Sequence, residues 1–468
     1  MLKHFQRIPL LAAALISLGL TSASPAFAQQ VEGLYSENLE AASSFQVGLT
    51  LYNRSDFEGA EKALRKALQF DPFIPMAYYL LGNSLLQQGK TDLATDQYQR
   101  ALALDPNMAE AYYNMGLALY RQGNVAGAIS QYQRAISLKS TIPDARYNMA
   151  LALESQGRTQ DAIAEYTKAI TLNPNNAAAP FNMGLLLVRQ NQTEPAISAF
   201  QKAVALNPEL IEGHYQLGVL LAQQRRWKEA EDSLRTVTKL DPKFAKAQYQ
   251  LGMVLAERGD FEEAGDRFAW VTSLEPNNVD AYRRQGSAQL KARQYEPAVA
   301  ALQTAVRLEP NDVMAHYNLA VGLQQLKKYP EAIAQYQQAI LLNPNMPDAF
   351  FNLGVSLEQS ERRAEAMSFL LQARNLYSTQ GNLQKIDEVD QYMQKLAAQP
   401  TIPSLSQPLQ SPTQPLQSPT QPLQSPTMLP PRQPTQPPTQ PLTQPPAVAP
   451  QQRSLPRLVP FNQERLNR

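Results

Sequence analysis

Five asparagines recur in this sequence at intervals of 34 residues or multiples of 34, and each directly follows an aromatic residue. The pairs are Tyr113 and Asn114, Tyr147 and Asn148, Phe181 and Asn182, Tyr317 and Asn318, and Phe351 and Asn352. A primary amide carries both a donor and an acceptor, so it can pair with the N–H and C=O groups of an extended peptide without reading the peptide's side chains. Aromatic rings beside it add contact area. The pattern therefore predicts the binding of a polypeptide backbone by these ten residues.

The same two positions are also occupied elsewhere along the chain. Further aromatic residues in the first position are Phe45, Tyr79, Tyr215 and Tyr249, and glutamines in the second are Gln46, Gln216 and Gln250. A second interpretation is structural, because rings at a fixed spacing can also pack helices together. The sequence leaves both roles open, and it favours the block from Tyr113 to Asn182 as the first place to look for a ligand.

One 34-residue period positions these residues and runs from residue 41 to residue 380. Ten units begin at residues 41, 75, 109, 143, 177, 211, 245, 279, 313 and 347. Within each unit apolar residues recur at helical spacing, and a proline near the end of most units stops the second helix, because the residue before proline avoids helical geometry. Glycines 89, 123, 157 and 259 stand where a first helix would end in a left-handed cap. Each unit is thus predicted to be a helix-turn-helix that is stable only when stacked on its neighbours.

The pattern resembles the tetratricopeptide repeat over about 340 residues. Small residues stand at the eighth and twentieth positions, as in Gly116 and Ala128, a large apolar residue such as Tyr132 at the twenty-fourth, and proline at the thirty-second. The resemblance implies an all-α, right-handed superhelical solenoid of about ten repeats. It also implies a concave groove, lined by the first helices, that holds extended peptides. We expect Gly116 to allow close packing opposite Ala128.

Departures from the family pattern are few. The tryptophan typical of the fourth position is replaced by residues such as Tyr78, Tyr112, His214 and Phe350. The eighth unit carries Arg283 and Arg284 where its neighbours have an aromatic and a polar residue. The two arginines are interpreted either as partners for an acidic ligand group or as a solvated charge pair.

Segments outside the repeats have different compositions. Residues 1–28 have the layout of a secretory signal peptide, with basic residues, an apolar run and cleavage expected after Ala28. Residues 29–40 form an N-terminal flank that is expected to be frayed, and residues 381–399 are expected to form a capping helix. Residues 400–468 contain 19 of the 36 prolines and three tandem copies of QPLQSPT, which predicts a disordered tail.

Several classes of function have little support. The chain has no cysteine, three histidines and a formal net charge of +1, so neither a cysteine metal site nor nucleic-acid binding is indicated. No phosphate loop or hydrolase motif occurs. We expect no enzymatic activity, cofactor or metal, and no membrane-spanning segment after cleavage of the signal. The two histidines in the repeats, His214 and His316, are interpreted as packing residues.

Together these observations predict an exported scaffold, in a periplasm or an equivalent lumen, that binds extended segments of partner proteins during assembly of envelope or membrane complexes. One alternative is a structural envelope protein that associates with itself. Another is the targeting subunit of an enzyme carried on a separate chain.

Overall fold

The structure is a computed structural model, and it describes residues 36–398, with side chains from residue 39 onward. Within these residues there are 21 α-helices and no strand. The helices fall into two compact units, residues 36–322 and residues 323–398, and the boundary lies inside one helix. We describe each unit by itself. The predicted signal peptide 1–28 and the tail 400–468 lie outside the described residues.

The first unit contains eight complete helix pairs and the first part of a ninth. The helices are α1 Ser36–Asn53, α2 Phe57–Phe70, α3 Pro75–Gln87, α4 Thr91–Leu104, α5 Ala109–Arg121, α6 Val125–Leu138, α7 Pro143–Ser155, α8 Thr159–Leu172, α9 Ala178–Arg189, α10 Thr193–Leu206, α11 Ile211–Gln223, α12 Trp227–Leu240, α13 Ala245–Glu257, α14 Phe261–Leu274, α15 Val279–Lys291, α16 Tyr295–Leu308 and α17 Val313–Gln325. Each of the eight complete pairs packs internally, and each of the first seven packs against the next pair. The prediction of an all-α array of tandem helix pairs is confirmed.

The second unit continues from residue 323 in α17 to the end of the described chain. Its other helices are α18 Tyr329–Leu342, α19 Pro347–Glu358, α20 Arg363–Thr379 and α21 Leu383–Ala398. Helix α20 has 17 residues, whereas α18 has 14. The proline that follows α18 is Pro344, and the equivalent residue of the last repeat is Ser378. Since serine keeps its N–H and permits helical geometry before it, α20 runs three residues further.

Helix α21 packs on α20 where the sequence places a capping helix. Val389 and Leu396 are buried in this contact, and Arg374 of α20 forms an ion pair of 2.6 Å with Asp390. Leu383, at the start of the predicted apolar face, is 74% exposed. At the other end of the chain, residues 36–40 belong to α1, so that part of the N-terminal flank is helical.

The turn between the two helices of every repeat has a left-handed residue at the fifteenth position. Four of these residues are the predicted glycines 89, 123, 157 and 259, with φ between 74° and 86°. In the other six repeats the residues are Ser55, Asn191, Arg225, Arg293, Lys327 and Glu361, with φ between 58° and 63°. The prediction of left-handed glycine caps is confirmed, and the same geometry persists where glycine is missing.

Glycine at the eighth position lets an aromatic ring lie directly on the first helix. A Cβ atom added to Gly116 would stand 2.6 Å from the Tyr132 ring, and one added to Gly82 would stand 2.6 Å from the Tyr98 ring. The Tyr132 ring at the twenty-fourth position is nearest to the space that the missing side chain of Gly116 leaves. At the equivalent Gly218 and Gly354, an added Cβ would also lie 3.3 Å and 3.2 Å from the backbone oxygens of Ala230 and Ala366 at the twentieth position, which agrees with the expected close packing of the two helices. This arrangement brings the second helix close to the aromatic residues of the predicted site.

Candidate peptide-binding site

The predicted asparagines of the third to fifth repeats bond to the repeat that precedes each of them. Asn148 Nδ2 donates to the Tyr113 hydroxyl at 2.8 Å, and Asn182 Nδ2 donates to the Tyr147 hydroxyl at 2.9 Å. Helices α5 and α7, which carry the first of these bonds, contact each other directly. Each amide therefore joins the first helices of two adjacent repeats.

The network contains more hydrogen bonds between the second and third repeats. Asn114 Nδ2 donates to the Tyr79 hydroxyl at 3.2 Å and to Asn83 Oδ1 at 2.8 Å. Asn83 Oδ1 also accepts a 2.8 Å bond from the Tyr98 hydroxyl. We call Tyr79, Tyr113 and Tyr147, together with Asn114, Asn148 and Asn182, the tyrosine–asparagine ladder.

Most of the ladder is buried. Tyr113 and Asn148 are 0% exposed, and Asn114 is 6% exposed. The Tyr113 ring packs against Tyr132 with ring centroids 6.0 Å apart, and the Tyr147 ring lies 5.8 Å from Tyr166. The expected placement of Tyr113, Asn114, Tyr147 and Asn148 on an open groove surface is thus wrong. The tyrosine rings pack on the second helices, and the asparagine amides bond to the preceding repeat. Their role in peptide binding stays a prediction.

Burial also changes the acid–base properties of the ladder tyrosines. It raises the pKa of Tyr147 to about 12, although the bond from Asn182 opposes the shift. Burial likewise raises the pKa of Tyr113, and the nearby Asp144 carboxylate adds to the effect. The hydroxyls therefore stay protonated at neutral pH, as acceptors for the asparagine amides.

The ladder ends where the sequence loses a hydroxyl. Phe181 takes the aromatic position of the fifth repeat, and its ring packs on Phe200 at 5.8 Å. Phenylalanine cannot accept a hydrogen bond from the next repeat. The next residue in the amide position is Gln216 rather than asparagine. The ladder in the sixth and seventh repeats is accordingly replaced by another arrangement.

The first helices of the sixth and seventh repeats, α11 and α13, carry a partly exposed face. We call it the open face, and its residues are Tyr215, Gln216, Val219, Tyr249, Gln250 and Met253. All six are half-buried, and α11 and α13 contact each other directly. Within residues 36–398 the amides of Gln216 and Gln250 have no hydrogen-bond partner. The open face thus offers two unused donor–acceptor groups beside aromatic and apolar side chains.

Charged residues of the eighth repeat border the open face. Arg284 lies over the Tyr249 ring at 5.5 Å and donates to Asp280 at 2.9 Å. Asp280 also accepts from the Tyr249 hydroxyl and pairs with Arg283, which lies 3.3 Å from Asp312. Burial alone would raise the pKa of Asp280, but the bonds from Tyr249 and Arg284 hold it below its ordinary value. Both arginines are therefore paired with aspartates of the protein, so neither offers an unpaired cation to an acidic ligand.

The remaining predicted pairs lie in different units. Tyr317 and Asn318, in the first unit, are half-buried. Phe351 and Asn352, in the second unit, are also half-buried, and the Phe351 ring packs on Tyr392 of α21 with centroids 5.7 Å apart. The structure thus places five of the ten predicted residues in the mostly buried ladder, half-buried Phe181 at its end, and the other four in two partly exposed places.

Residues at the fourth position hold a backbone carbonyl of the preceding repeat. His214 Nε2 lies 3.1 Å from the Pro208 oxygen, and His316 Nε2 lies 2.9 Å from the Pro310 oxygen. These distances place the ring N–H as the donor. Both histidines thus have a structural contact, as interpreted from the sequence.

Proline at this position leaves a groove that the sequence analysis missed. Pro180 has neither a donor nor a large ring, and α9 begins at Ala178, one residue later in its repeat than α7 or α11 in theirs. A cavity of about 500 Å³ lies beside it, with Lys202 at the edge. The apolar lining residues include Ile163, Ile170, Met183, Leu187 and Pro195. The signal that could have revealed this groove is the single proline at a position occupied by larger residues in most repeats.

Comparisons with known proteins agree with this architecture. A family model described as TPR repeat matches residues 82–123, 119–157, 184–225 and 323–360. Models described as Tetratricopeptide repeat match residues 143–176, 215–278 and 283–323. Together the matches cover more than half of the 468 residues, and this chain belongs to the tetratricopeptide repeat family. It is a protein–protein interaction scaffold of a fold that is typically not enzymatic.

Several solved structures are similar over part of the chain. The crystal structure of YrrB, described as a TPR protein with an unusual peptide-binding site, is 28% identical, with a TM-score of 0.37, over 39% of this chain and 95% of its own. A crystal structure of MamA is 30% identical, with a TM-score of 0.34, over 35% of this chain and 95% of its own. MamA from Desulfovibrio magneticus RS-1 is 24% identical, with a TM-score of 0.35, over 36% and 96%. No curated protein matches the sequence.

Among the described residues 36–398, no helix combines the length and the apolar character that crossing a membrane requires.

Proposed function

We propose that this protein is an exported scaffold that binds extended segments of partner proteins on the first helices of its repeats, and that it acts in the assembly of cell-envelope or membrane complexes. The observation that carries the proposal is the open face, where the amides of Gln216 and Gln250 lack partners beside Tyr215 and Tyr249. A half-buried amide without a partner gains from a ligand that supplies both N–H and C=O groups.

In this proposal the ladder joins adjacent repeats, whereas the open face binds the peptide. The ladder amides already donate to tyrosine hydroxyls, so a peptide would have to break those bonds to use them. The two glutamines have no such bond to break. We therefore place the main peptide contact in the sixth and seventh repeats rather than in the block from Tyr113 to Asn182.

The test is selection of random linear peptides from a display library on the purified full chain, followed by affinity measurement on variants. The double variant Gln216→Ala with Gln250→Ala should lower peptide affinity by about tenfold or more, as expected for two anchoring groups. A matched control makes the same change at two exposed glutamines on second helices, Gln201→Ala with Gln303→Ala, and should leave affinity unchanged. Equal affinity in the two double variants would overturn the proposed site.

Export rests on the N-terminal sequence, with Lys3 and Arg7 before an apolar run and a cleavage motif that ends at Ala28. The proposal predicts a mature chain that begins at Gln29. Mass spectrometry of the native protein, after separation of the cell into compartments, measures this directly. A chain that retains residues 1–28 inside the cytoplasm would contradict export and would leave the peptide-binding proposal standing.

A further inference from the structure

We propose that the C-terminal segment 453–468 of this chain binds to the open face and acts as a built-in competitor for partner peptides. This inference rests on the proposed function, since it assigns a particular ligand to the same site. The segment reads RSLPRLVPFNQERLNR, and its occupancy of the face would set how readily a partner enters.

Charge favours the pairing of the tail with the repeats. Of the 42 basic and 41 acidic residues in the chain, residues 400–468 hold five arginines and one glutamate, and residues 1–28 hold Lys3 and Arg7 and no acidic residue. Residues 29–399 are left with 35 basic and 40 acidic side chains. The tail is thus positive and the repeats negative, which attracts the two to each other.

Local charges at the open face match the segment in sign. Glu212, near the start of α11, and Glu257, at the end of α13, are exposed and form no ion pair within the described residues, whereas Lys246 is an exposed cation on α13. The segment offers Arg453 and Arg457 as cations. It also contains the anionic Glu464, which is opposite in charge to Lys246.

The shape of the segment suits an extended ligand. Pro456 and Pro460 prevent a regular helix across it and favour an extended backbone. Seven extended residues, 455–461, span roughly 20 Å, which is enough to cross two helices packed about 10 Å apart. Leu455, Leu458 and Phe461 supply apolar groups for Val219, Met253 and the two tyrosine rings.

A long connection precedes the segment. Residues 399–452 separate the end of α21 from the segment. Such a linker spans about 40 Å as a flexible coil and roughly 170 Å as a fully extended polyproline chain. Tethering raises the effective concentration of a ligand, to the order of millimolar where the linker length matches the span, and this favours occupancy by even a weak ligand sequence.

The first experiment uses the absence of cysteine from the chain. The test variant is the full chain with Met253→Cys and Phe461→Cys, and the control is the full chain with Gln303→Cys and Phe461→Cys, whose first thiol lies at an exposed position of a second helix. Under mild oxidation the test variant should form an internal disulfide at least about tenfold faster than the control. Equal rates would overturn the inference. Disulfides formed between isotope-labelled and unlabelled chains, in place of internal ones, would also overturn it, because the occupant would then be a second copy.

The second experiment measures competition with a labelled synthetic peptide of residues 453–468. Its affinity for the full chain carrying Leu455→Ser, Leu458→Ser and Phe461→Ser should be at least about tenfold higher than for the unchanged chain, whose own tail competes. No binding to either chain would contradict the inference. If library peptides still bind through Gln216 and Gln250 in that case, the proposed function stands and only the tail is excluded as a ligand.

Discussion

The third and fourth repeats use their first helices to hold the array together, whereas the sixth and seventh leave the same positions half-open. In the former, Asn148 and Tyr113 are fully buried and joined at 2.8 Å. In the latter, Gln250 follows Tyr249 and its amide has no partner within the described residues. At Gln216 the preceding repeat lacks a hydroxyl, because it carries Phe181, whereas Gln250 follows a repeat with Tyr215 and differs from the ladder asparagines by one extra methylene. The same repeat position therefore serves assembly in one region and remains available to a ligand in another.

The comparison shows how a repeat protein can place a binding site without changing its fold. Every repeat keeps the left-handed turn at the fifteenth position and the alanine at the twentieth. What differs is whether the amide at the sixth position finds a hydroxyl in the preceding repeat. A ligand site is then expected wherever that match fails and the side chain stays partly exposed.

The largest packing change is expected from filling the space at the eighth position. Gly116→Ala places a methyl group 2.6 Å from the Tyr132 ring, whereas Gly252→Ala meets the Phe268 ring at 3.0 Å. Overpacking of this kind costs about 1 to 3 kcal/mol, and alanine returns about 1 kcal/mol of helix propensity. Denaturant unfolding should show a clear loss of stability for Gly116→Ala and a smaller change for Gly252→Ala. A larger loss at Gly252 would contradict the tighter packing of the ladder repeats.

The next prediction compares the stability contributed by a ladder amide, Asn148, with that contributed by an open-face amide, Gln250. Asn148→Ala removes the donor to the Tyr113 hydroxyl in a fully buried place and should lower the free energy of unfolding by about 1 to 3 kcal/mol. Gln250→Ala breaks no hydrogen bond and should stay within about 0.5 kcal/mol of the unchanged chain. Thermal and denaturant unfolding of both variants measure the difference. Similar losses in both would show that the open face is also structural.

A smaller effect, a gain in stability, is expected from filling the groove beside Pro180. Pro180→Tyr restores the residue type of the second and third repeats, where Arg100 and Arg134 lie over the rings of Tyr78 and Tyr112. Cavity filling and the regained N–H should raise stability by about 1 kcal/mol. Peptide affinity at the open face should not change, because the groove is lined by other side chains. Stability should be followed by thermal unfolding, and a loss would show that the proline is required for the start of α9.

The smallest effect is a pH dependence confined to the open region. Burial lowers the pKa of His214, while the bond to the Pro208 carbonyl partly opposes the shift, and Nδ1 is buried without a partner. As the pH falls, His214 takes up a proton in the unfolded chain before it does so in the folded chain. The folding stability that neutral His214 contributes is therefore fully present above a pH of about 6.5 and is lost as the pH falls below that value. Unfolding measured at about pH 7.5 and about pH 5.5 should show a loss of stability at the lower pH that is reduced in His214→Gln. An identical loss in the variant would assign the effect to other groups.

Much of the fold could be predicted from the sequence because its period is strict. Repeat boundaries, paired helices and the glycine turns follow from residues such as Gly89 and Pro106 that punctuate each unit. The turns at Arg225 or Glu361 could not be predicted by the same signal, since tertiary packing imposes left-handed geometry there without glycine.

The candidate site was less predictable because helical periodicity gives the direction of a side chain and not its depth. Tyr113 was expected on a surface, but its ring packs on Tyr132 and its hydroxyl accepts a bond from Asn148, and it is fully buried. A signal for the ladder was nevertheless present, since Asn114, Asn148 and Asn182 each follow a repeat with tyrosine in the aromatic position. Phe181 is a sequence signal for the free amide of Gln216, because the preceding repeat then lacks a hydroxyl. Gln250 follows a repeat with Tyr215, so its free amide required the structure.

The uneven distribution of glycine among the turns sets an order in which the repeats should open. A residue other than glycine in left-handed geometry costs roughly 1 kcal/mol, and this cost falls on the first, fifth, sixth, eighth, ninth and tenth repeats. The second to fourth repeats have glycine turns and also lie within the ladder. In an array whose stability is a sum of local and neighbour terms, that block is where folding should nucleate and where amide exchange should be slowest. Of the two half-open repeats, the sixth carries this cost at Arg225 and should open more readily than the seventh, whose turn residue is Gly259.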